Sequence, residues 1–489
     1  MIRLQNEPKT ISFIYPSSSR GRKGRQAMGE ASSDVPAAAA AVRVLAVARV
    51  APSAVEDEAG RRVKLSFFDT PWVVLPPIQR VFLYELELAA ADGFPAVVDR
   101  LKRALADTLA HYLPLAGTLE YVAETGDAVI DCSDAGVAFV EADGIGMDVR
   151  ALAGDEAHDV AAFQSLVPEL DVRVLPAPVL SVQATRLGAG VAIGFSVHHA
   201  VADGRAVWRF IEAWASASRV GSPVTDDLAP PHYGREAVPH ARGDELAREL
   251  LKMVAPNVPV VNTGQFDFSQ RVLRARRTFH LCADDIRSLK QRIDALAAAE
   301  TNSGNNGAPK PKPVSTFVAL AALGWTAFVR SKNLGAGEDT YLMFLADLRA
   351  RLDPPVSDAY FGNCVRACLA TCADAAELRG AAGVLRAAQA VQRAVEEMAA
   401  APLAAADRSW VHMLMRLPFS RLANVAASPR FRAYEASDFG FGKPARVELV
   451  SMNQDGEMVL VGGRRDGEVQ VSVSVDPAHM DAFKACILG

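Results

Sequence analysis

Hydrophobic periodicity divides this chain into segments that predict strands and helices. Between Val191 and Val197 every second residue is a larger apolar one, which is typical of a strand with a buried face. Directly afterwards, apolar residues recur at helical spacing from Val207 to Trp214. The chain therefore turns from strand to helix within residues 198–206, where a polar side chain can be exposed at a cleft.

The same periodicity predicts further elements before this junction. A strand begins at Val42, and two more strand segments flank the pair Pro76 and Pro77. Helical spacing runs from Phe94 to Tyr112, and short strands are predicted around residues 119–122, 127–131, 137–140 and 179–186. Strands mixed with helices in this order predict an α/β layered fold.

A change of composition after Ser218 predicts a connection between two domains. The chain there becomes rich in Pro, Gly and charged residues, as long connections are. Because 489 residues exceed what one hydrophobic core usually supports, two domains are expected. The predicted division is a first domain at residues 42–218, a linker at 219–264 and a second domain at 265–489.

The first 27 residues differ from the rest of the chain. They are basic, contain a Ser-rich patch and include a single acidic residue, Glu7. This composition is typical of an organellar transit peptide, but no clear amphipathic helix accompanies it. Met28 offers an alternative start. We therefore expect residues 1–41 to form a disordered extension that the fold does not need.

Composition and charge narrow the class of protein. Half of the residues are hydrophobic and 22% are charged, which is ordinary for a soluble globular enzyme. A formal net charge of -5 gives no reason to expect nucleic acid or an anionic membrane as a partner. No apolar run approaches the roughly 20 residues that span a bilayer. We expect a monomer in the cytoplasm.

The six cysteines are few for this length and follow no secretory signal, so reduced thiols are expected. Cys364, Cys368 and Cys372 are evenly spaced by four, which raises the question of a metal site. Zinc sites usually present paired Cys-x-x-Cys turns with further Cys or His ligands, and neither follows here. The sequence therefore predicts no metal site.

The motif HHAVADG at the strand-to-helix junction contains the best candidate for chemistry. An imidazole such as that of His199 can take a proton from a hydroxyl and return it to a leaving group, which suits acyl transfer. The sequence lacks a Gly-x-Ser-x-Gly elbow and a convincing catalytic cysteine, so direct attack by an acceptor hydroxyl is expected. Asp203 could orient the imidazole or pair with an arginine. The alternative is a packed histidine and a helix-capping aspartate.

Together with SDFGFGKP at residues 437–444, HHAVADG resembles the HxxxD and DFGWG motif pair of the plant BAHD acyltransferases. Three further segments resemble the family in the same order along the chain. They are SFFDTPWVVLPPIQRVFLYEL, VSTFVALAALGW and ADLRARLDPPVSDAYFGNC, and the last ends in a YFGNC motif similar to that of the anthocyanin and phenolic-glucoside branch.

The resemblance implies an α/β protein of two chloramphenicol-acetyltransferase-like domains, joined by a long crossover loop, with a channel between them. It also implies that acyl-CoA is a co-substrate, with no bound cofactor, and that His199 is the general base. Asp203 is then a structural residue, and Arg349 or Arg351 is its partner. The donor of a hydrogen bond to the oxyanion is not identified.

Asp438, in the second motif, is a candidate catalytic residue by the same resemblance. Its position in a turn bracketed by glycines suits a loop-fixing role, so both interpretations stay open. Where the family has tryptophan, this chain has Phe441. Packing by an aromatic ring is retained there, while a hydrogen bond from an indole N–H is lost.

Substrate contacts are predicted at Ser315, Thr316, Arg80 and Arg205. Ser315 and Thr316 begin the second-domain helix, where hydroxyls and a helix N-terminus suit CoA, although they could merely cap the helix. Arg80 is a candidate for the acyl or CoA end. The branch resemblance implies malonyl-CoA as donor and a phenolic or flavonoid glucoside as acceptor. The malonyl carboxylate needs a cation, for which Arg80 and Arg205 are candidates unless they lie on the surface.

Three alternatives stay open. A hydroxycinnamoyl-CoA donor acting on a phenolic or amine acceptor would need an apolar slot and no cation. A non-ribosomal condensation domain also has HHxxxDG, but the DFGFG and YFGNC segments argue against it. A non-catalytic relative is disfavoured because both His199 and Asp203 are present.

Overall fold

The computed structural model describes residues 41–54, 61–86, 93–154, 157–225, 228–261, 269–303, 313–404, 409–414 and 416–488. Nearly all of the predicted N-terminal extension, including Met28, lies outside these ranges. The predicted α/β fold class is confirmed, since strands and helices of both halves are mixed throughout.

The strands, in chain order, are β1 (Ala41–Val50), β2 (Arg62–Lys64), β3 (Ile78–Glu85), β4 (Thr118–Val122), β5 (Asp127–Asp131), β6 (Val137–Ile145), β7 (Ala177–Pro178), β8 (Leu180–Leu187), β9 (Gly190–Val197), β10 (Ala275–Leu281), β11 (Thr340–Asp347), β12 (Val365–Cys372), β13 (Leu422–Ser428), β14 (Arg446–Leu449), β15 (Glu457–Gly462) and β16 (Val469–Val475).

The α-helices are α1 (Gly93–His111), α2 (Val149–Ala153), α3 (Val160–Ser165), α4 (Gly204–Val220), α5 (Gly243–Val254), α6 (Ala283–Ser303), α7 (Thr316–Ser331), α8 (Ala375–Arg379), α9 (Gly383–Ala400), α10 (Ser409–Leu414), α11 (Ala433–Ala436) and α12 (Met480–Leu488). Within the described ranges, no helix is both long and apolar enough to cross a membrane.

Two six-stranded sheets form the framework of the two halves. The strand order is β1-β6-β8-β9-β3-β14 in the first sheet and β10-β16-β15-β13-β11-β12 in the second. A smaller sheet has the order β2-β5-β4-β7. Each large sheet mixes parallel and antiparallel pairs, so strands that are distant in sequence become neighbours.

Strand β14 departs from the domain division predicted from the sequence. It belongs to the last quarter of the chain, yet it pairs antiparallel with β3 at the edge of the first sheet, with Val447 opposite Phe82. The pairing satisfies backbone groups that an edge strand would otherwise leave open. Residues 265–489 therefore contribute to both sheets, and periodicity could not show this because it identifies a strand without its partner.

The core of the first half encloses β9, the strand that leads into the site-bearing junction. Every residue of β9 is buried, and helices α1 and α4 pack against each other beside this sheet. Gly194 lies so close to the carbonyl oxygen of Leu166 that an added Cβ would stand 2.0 Å from it. Only glycine fits there, so β9 packs directly against the backbone at the end of α3.

The apolar helix predicted in the second half is α7, which packs against α9 and α12. Trp325 in this helix is fully buried, and its indole N–H donates to the hydroxyl of Thr340 at 3.1 Å. The helix thereby connects to the first residue of β11. Its N-terminus, at Ser315 and Thr316, is directed to the space between the two halves, where it lines a cavity.

Candidate active site

A cavity of about 1650 Å3 lies between the two halves and is lined by residues from both. His199, Arg80 and Trp72 contribute from the first half. The residues beyond 265 contribute the start of α7, parts of β11 and β13 and the loop that follows β13. The cavity therefore has the position that the family resemblance implies for a channel.

His199 lies in the loop between β9 and α4 and lines this cavity. The strand ends at Val197 and the helix begins at Gly204, as the change of periodicity predicts. The imidazole is half-buried and stacks face to face on the indole of Trp72, with ring centroids 4.5 Å apart and planes 9° apart. Stacking on one face leaves the ring edge as the route to a reactant.

The backbone of His199 is held by residues far away in sequence. Its carbonyl accepts a hydrogen bond from Nδ2 of Asn363 at 3.1 Å, and the same amide donates to Oδ1 of Asp69 at 3.0 Å. Asp69 is fully buried and also accepts from Nε of Arg235 at 2.9 Å. The SFFD segment, the YFGNC segment and the crossover connection thus meet behind the histidine.

Asp203 forms a buried ion pair with Arg349. Nη1 of Arg349 donates to Oδ2 at 2.8 Å, and the backbone N–H of Cys364 donates to the same oxygen at 2.9 Å. Oδ1 accepts from the backbone N–H of Ala206 at 2.9 Å, which caps α4. Both carboxylate oxygens are thus engaged by groups other than the imidazole, which favours the structural interpretation of Asp203. Arg351 is exposed and donates to the carbonyl of Asp347 instead.

Burial controls the protonation of both histidines. It lowers the pKa of His199 to about 4, while the charge of Asp203 acts in the opposite direction. A neutral imidazole at neutral pH has a lone pair available to accept a proton. Burial and the neighbouring His199 lower the pKa of His198 to about 3. Nδ1 of His198 accepts from the N–H of Ala200 at 3.2 Å, so this ring supports the turn.

Asp438 lies outside the set of described residues that line the cavity. Its Oδ1 accepts from the backbone N–H groups of Gly440 at 2.8 Å and Gly442 at 3.0 Å. Both glycines have positive φ, at 88° and 80°, which side chains rarely adopt. The position of Asp438 thus favours the loop-fixing interpretation over the catalytic one. Phe441 packs edge-on against Tyr84, with centroids 5.9 Å apart.

The residues predicted to contact substrate all line the cavity, but their environments differ. Oγ of Ser315 accepts from the N–H of Val318 at 3.2 Å, so this side chain does cap α7, and Thr316 follows it. Arg205 pairs with the exposed Asp358 at 2.6 Å. Arg80 is buried, and its guanidinium carbon lies 4.7 Å from the centroid of the Trp208 ring.

The buried thiols of Cys364 and Cys368 are not activated as nucleophiles. Burial raises the pKa of the Cys364 thiol to about 12 and that of the Cys368 thiol to about 11, so both remain protonated at neutral pH. Cys368 and Cys372 lie on β12 four residues apart. In the described part of the chain, no group of three or more His, Cys, Asp or Glu side chains could hold a metal ion.

Four residues that support His199 were not predicted from the sequence, namely Trp72, Asp69, Asn363 and Arg235. The first three lie in segments that resemble the family. A polar residue inside an apolar run, such as the aspartate of SFFD, is the signal that could have pointed to such a position. Arg235 has no such signal, because it lies in the predicted linker at residues 219–264, whose composition indicates only a connection between domains.

Comparison with known proteins identifies this arrangement. A model of the Transferase family matches residues 40–487. The chain belongs to this family, that of the BAHD acyltransferases. Among relatives of this acyltransferase, phenolic glucoside malonyltransferase 2 of Arabidopsis thaliana is 29% identical over 454 residues, covering 90% of this chain and 97% of the relative. The malonyl-coenzyme:anthocyanin 5-O-glucoside-6'''-O-malonyltransferase of Salvia splendens is 28% identical over 451 residues, covering 86% and 90%.

Solved structures agree with the fold of this BAHD acyltransferase. Vinorine synthase has a TM-score of 0.67 at 18% identity and covers 92% of this chain and 98% of its own. TRI101 of F. sporotrichioides, complexed with coenzyme A and T-2, has a TM-score of 0.59 at 17% identity, covering 87% and 97%. At these identities the likeness establishes the two-domain architecture.

Proposed function

We propose that the protein transfers an acyl group from CoA to an acceptor hydroxyl, with His199 as the general base. The observation that carries this proposal is the neutral, half-buried imidazole of His199 in the cavity between the halves. Its ring is positioned by Trp72 and its backbone by Asn363. A base held in this way needs no reorganisation before it accepts a proton.

The reaction follows from that position in two steps. The imidazole removes the acceptor's proton while the alkoxide oxygen attacks the thioester carbonyl, which gives a tetrahedral intermediate. Collapse of the intermediate breaks the C–S bond and releases CoA thiolate, which takes the proton from the imidazolium. Asp203 keeps the loop in shape throughout, since Arg349 and two backbone N–H groups occupy its oxygens.

The donor is proposed to be malonyl-CoA and the acceptor a phenolic or flavonoid glucoside. The names of the relatives, which are malonyltransferases for such glucosides, support both assignments. Pockets for a single small ligand usually have a volume of about 300–1000 Å3. The cavity of about 1650 Å3 is larger, which suits a protein that binds two substrates together. Ser315 and Thr316 are proposed to contact CoA at the N-terminus of α7.

Transfer can be tested directly with purified full-length protein. Malonyl-CoA is incubated with a panel of phenolic glucosides, CoA release is followed with a thiol reagent, and products are identified by mass spectrometry. Product carrying one malonyl group, absent with the His199→Ala variant, supports the proposal. Absence of transfer from malonyl-, acetyl- and coumaroyl-CoA to every glucoside and amine acceptor would overturn it.

Coumaroyl-CoA is the second candidate donor, because several aromatic side chains line the cavity. Phe317, Phe344 and Phe431 are among the lining residues and could hold either an aromatic donor or the aglycone of the acceptor. Competition between malonyl-CoA and coumaroyl-CoA for one glucoside shows whether these side chains hold an aromatic donor or the aglycone of the acceptor. Preference for the coumaroyl donor would replace the malonyl assignment and leave acyl transfer in place.

A further inference from the structure

Arg80 differs in its environment from other buried arginines of this protein. Its side chain is on β3, lines the cavity and is only 3% exposed. In the described ranges, its guanidinium makes no hydrogen bond or ion pair, and Nε is buried without a partner. By contrast, Arg349 pairs with Asp203 at 2.8 Å, and Arg276 pairs with Glu448 at 2.8 Å.

A buried charge without a counter-ion is unfavourable, because desolvation is not offset by a partner. Burial lowers the pKa of Arg80 to about 10, so the guanidinium is still protonated at neutral pH. Glu448 is the acidic group that acts on Arg80 electrostatically, but its carboxylate already accepts from Arg276 and from the hydroxyl of Thr278 at 2.9 Å. Among the described residues, Arg80 therefore has no directly bonded counter-ion.

Aromatic side chains cover one side of the Arg80 guanidinium. Trp208 covers one face of the guanidinium, and Phe431, which also lines the cavity, packs against Trp208 with centroids 6.1 Å apart. A guanidinium that is stacked on an aromatic face donates along its edge, and this edge matches the two oxygens of a carboxylate.

Arg80 and His199 line the same cavity from neighbouring strands of the first sheet. Arg80 is opposite Phe195 on β9, and His199 follows the end of that strand by two residues. The four residue steps from Phe195 to His199 span at most about 13 Å of extended chain. Trp208 lies one turn into α4, which starts directly after the loop that carries His199.

We propose that Arg80, backed by Trp208, binds the free carboxylate of a dicarboxylic acyl group and thereby selects malonyl-type donors over neutral ones. This inference rests on the proposed acyl transfer from CoA. In the bound state the malonyl carboxylate supplies the missing counter-ion, while its thioester carbonyl faces the acceptor beside His199. A neutral acyl group such as acetyl leaves the guanidinium unpaired.

The test compares Arg80→Gln and Arg80→Lys with wild type, using malonyl-CoA and acetyl-CoA as donors for one glucoside. Arg242→Gln is the control for loss of an arginine as such, because Arg242 is not among the residues that line the cavity and pairs with Glu245 at 2.7 Å. We expect Arg80→Gln to lower kcat/KM for malonyl-CoA about 10- to 100-fold, the loss typical of a charged hydrogen-bonded contact. The value for acetyl-CoA should stay within about threefold of wild type, a change too small for a lost charged contact.

Arg80→Lys separates the contribution of charge from that of geometry, because lysine keeps the positive charge but lacks the planar guanidinium. We expect it to retain part of the preference for malonyl-CoA. An equal fall with both donors would assign Arg80 to CoA or to folding, and unchanged kcat/KM with malonyl-CoA would remove it from the site. Either outcome overturns the inference.

Calorimetric binding of malonyl-CoA, acetyl-CoA and free CoA to the full chain separates this inference from the proposed function. Binding needs no acceptor, so it reports on Arg80 even if no transfer is seen. A loss of affinity in Arg80→Gln that is confined to malonyl-CoA supports the carboxylate site. A loss shared with free CoA contradicts it. Failure of wild type to transfer any acyl group, despite selective malonyl-CoA binding, counts against the proposed function alone.

Discussion

Nη1 of Arg349 lies 2.8 Å from Oδ2 of Asp203, and neither side chain is more than 2% exposed. The pair joins the start of α4 to the segment that follows β11, so it connects the two halves beside the cavity. Arg349 also donates to the carbonyls of Tyr360 at 3.2 Å and Gly362 at 3.1 Å. The geometry of the His199 loop therefore depends on a contact that lies behind it.

Asp203→Ala should destabilise the protein as well as reduce transfer. Removal of one member of a buried ion pair typically costs about 3–5 kcal/mol, because the other charge remains unpaired. Urea unfolding of the purified variant measures the loss, and an assay with malonyl-CoA measures activity. Arg205→Ala breaks the exposed pair with Asp358 and serves as control. Lost activity at unchanged stability would indicate a direct catalytic role for Asp203.

His199→Ala should abolish detectable transfer while the fold persists. A positioned general base typically contributes about 100- to 10,000-fold to the rate, and alanine removes only the proton-accepting group. Circular dichroism and thermal unfolding check the fold, and product formation is measured by mass spectrometry. Near-normal turnover by the folded variant would rule out the mechanism.

Asn363→Ala should reduce both stability and kcat, although the side chain does not line the cavity. The variant loses the hydrogen bonds to the carbonyl of His199 and to Asp69. Leaving such buried groups unsatisfied costs about 1–3 kcal/mol. Because the side chain acts by positioning the base, kcat should fall while KM for malonyl-CoA changes little. A rise in KM alone would place Asn363 in substrate binding.

Asp438→Asn should behave like wild type, whereas Asp438→Ala should lower the melting temperature. The amide oxygen of asparagine can still accept from Gly440 and Gly442, which the methyl group of alanine cannot do. The two variants are compared by thermal unfolding and by initial rates. If the carboxylate charge were catalytic, both substitutions would abolish transfer.

The free energy of unfolding should fall as the pH is lowered from about 6.5 towards about 4, because the pKa of His199 is lower in the folded protein than in the unfolded chain. In that window the unfolded chain binds a proton at this histidine and the folded protein does not, so the free energy of unfolding rises with pH. His198, with a pKa of about 3 in the folded protein, acts in the same direction. Urea unfolding across this range should show a smaller pH dependence for His198→Gln. An unchanged slope would contradict the buried, neutral state.

The same pKa sets the acid side of the activity profile. Since only the neutral imidazole accepts a proton, kcat/KM should stay level down to about pH 5 and fall as the pH approaches about 4. A profile that falls instead around the ordinary histidine pKa of about 6.5 would show that His199 is not desolvated in the free enzyme.

Local features of this protein were determined by the sequence itself. The change from alternation to helical spacing around HHAVADG predicted the end of β9 and the start of α4, and hydroxyl residues predicted the cap of α7 at Ser315. Such features depend on neighbours within about four residues, which a pattern along the chain records. The sequence motifs also indicated the family, and with it the role expected of His199.

Only the tertiary structure decided which distant residues meet. Arg349 and Arg351 are two residues apart, yet one is buried against Asp203 and the other is exposed, because the short helical turn at Arg349–Arg351 points them in different directions. Likewise, the sequence did not distinguish Arg80 from Arg205 as a candidate cation. In the fold, Arg80 lies against Trp208 without a bonded counter-ion, whereas Arg205 pairs with Asp358. Burial and pairing depend on which elements pack together, and residues adjacent in space need share no pattern in sequence.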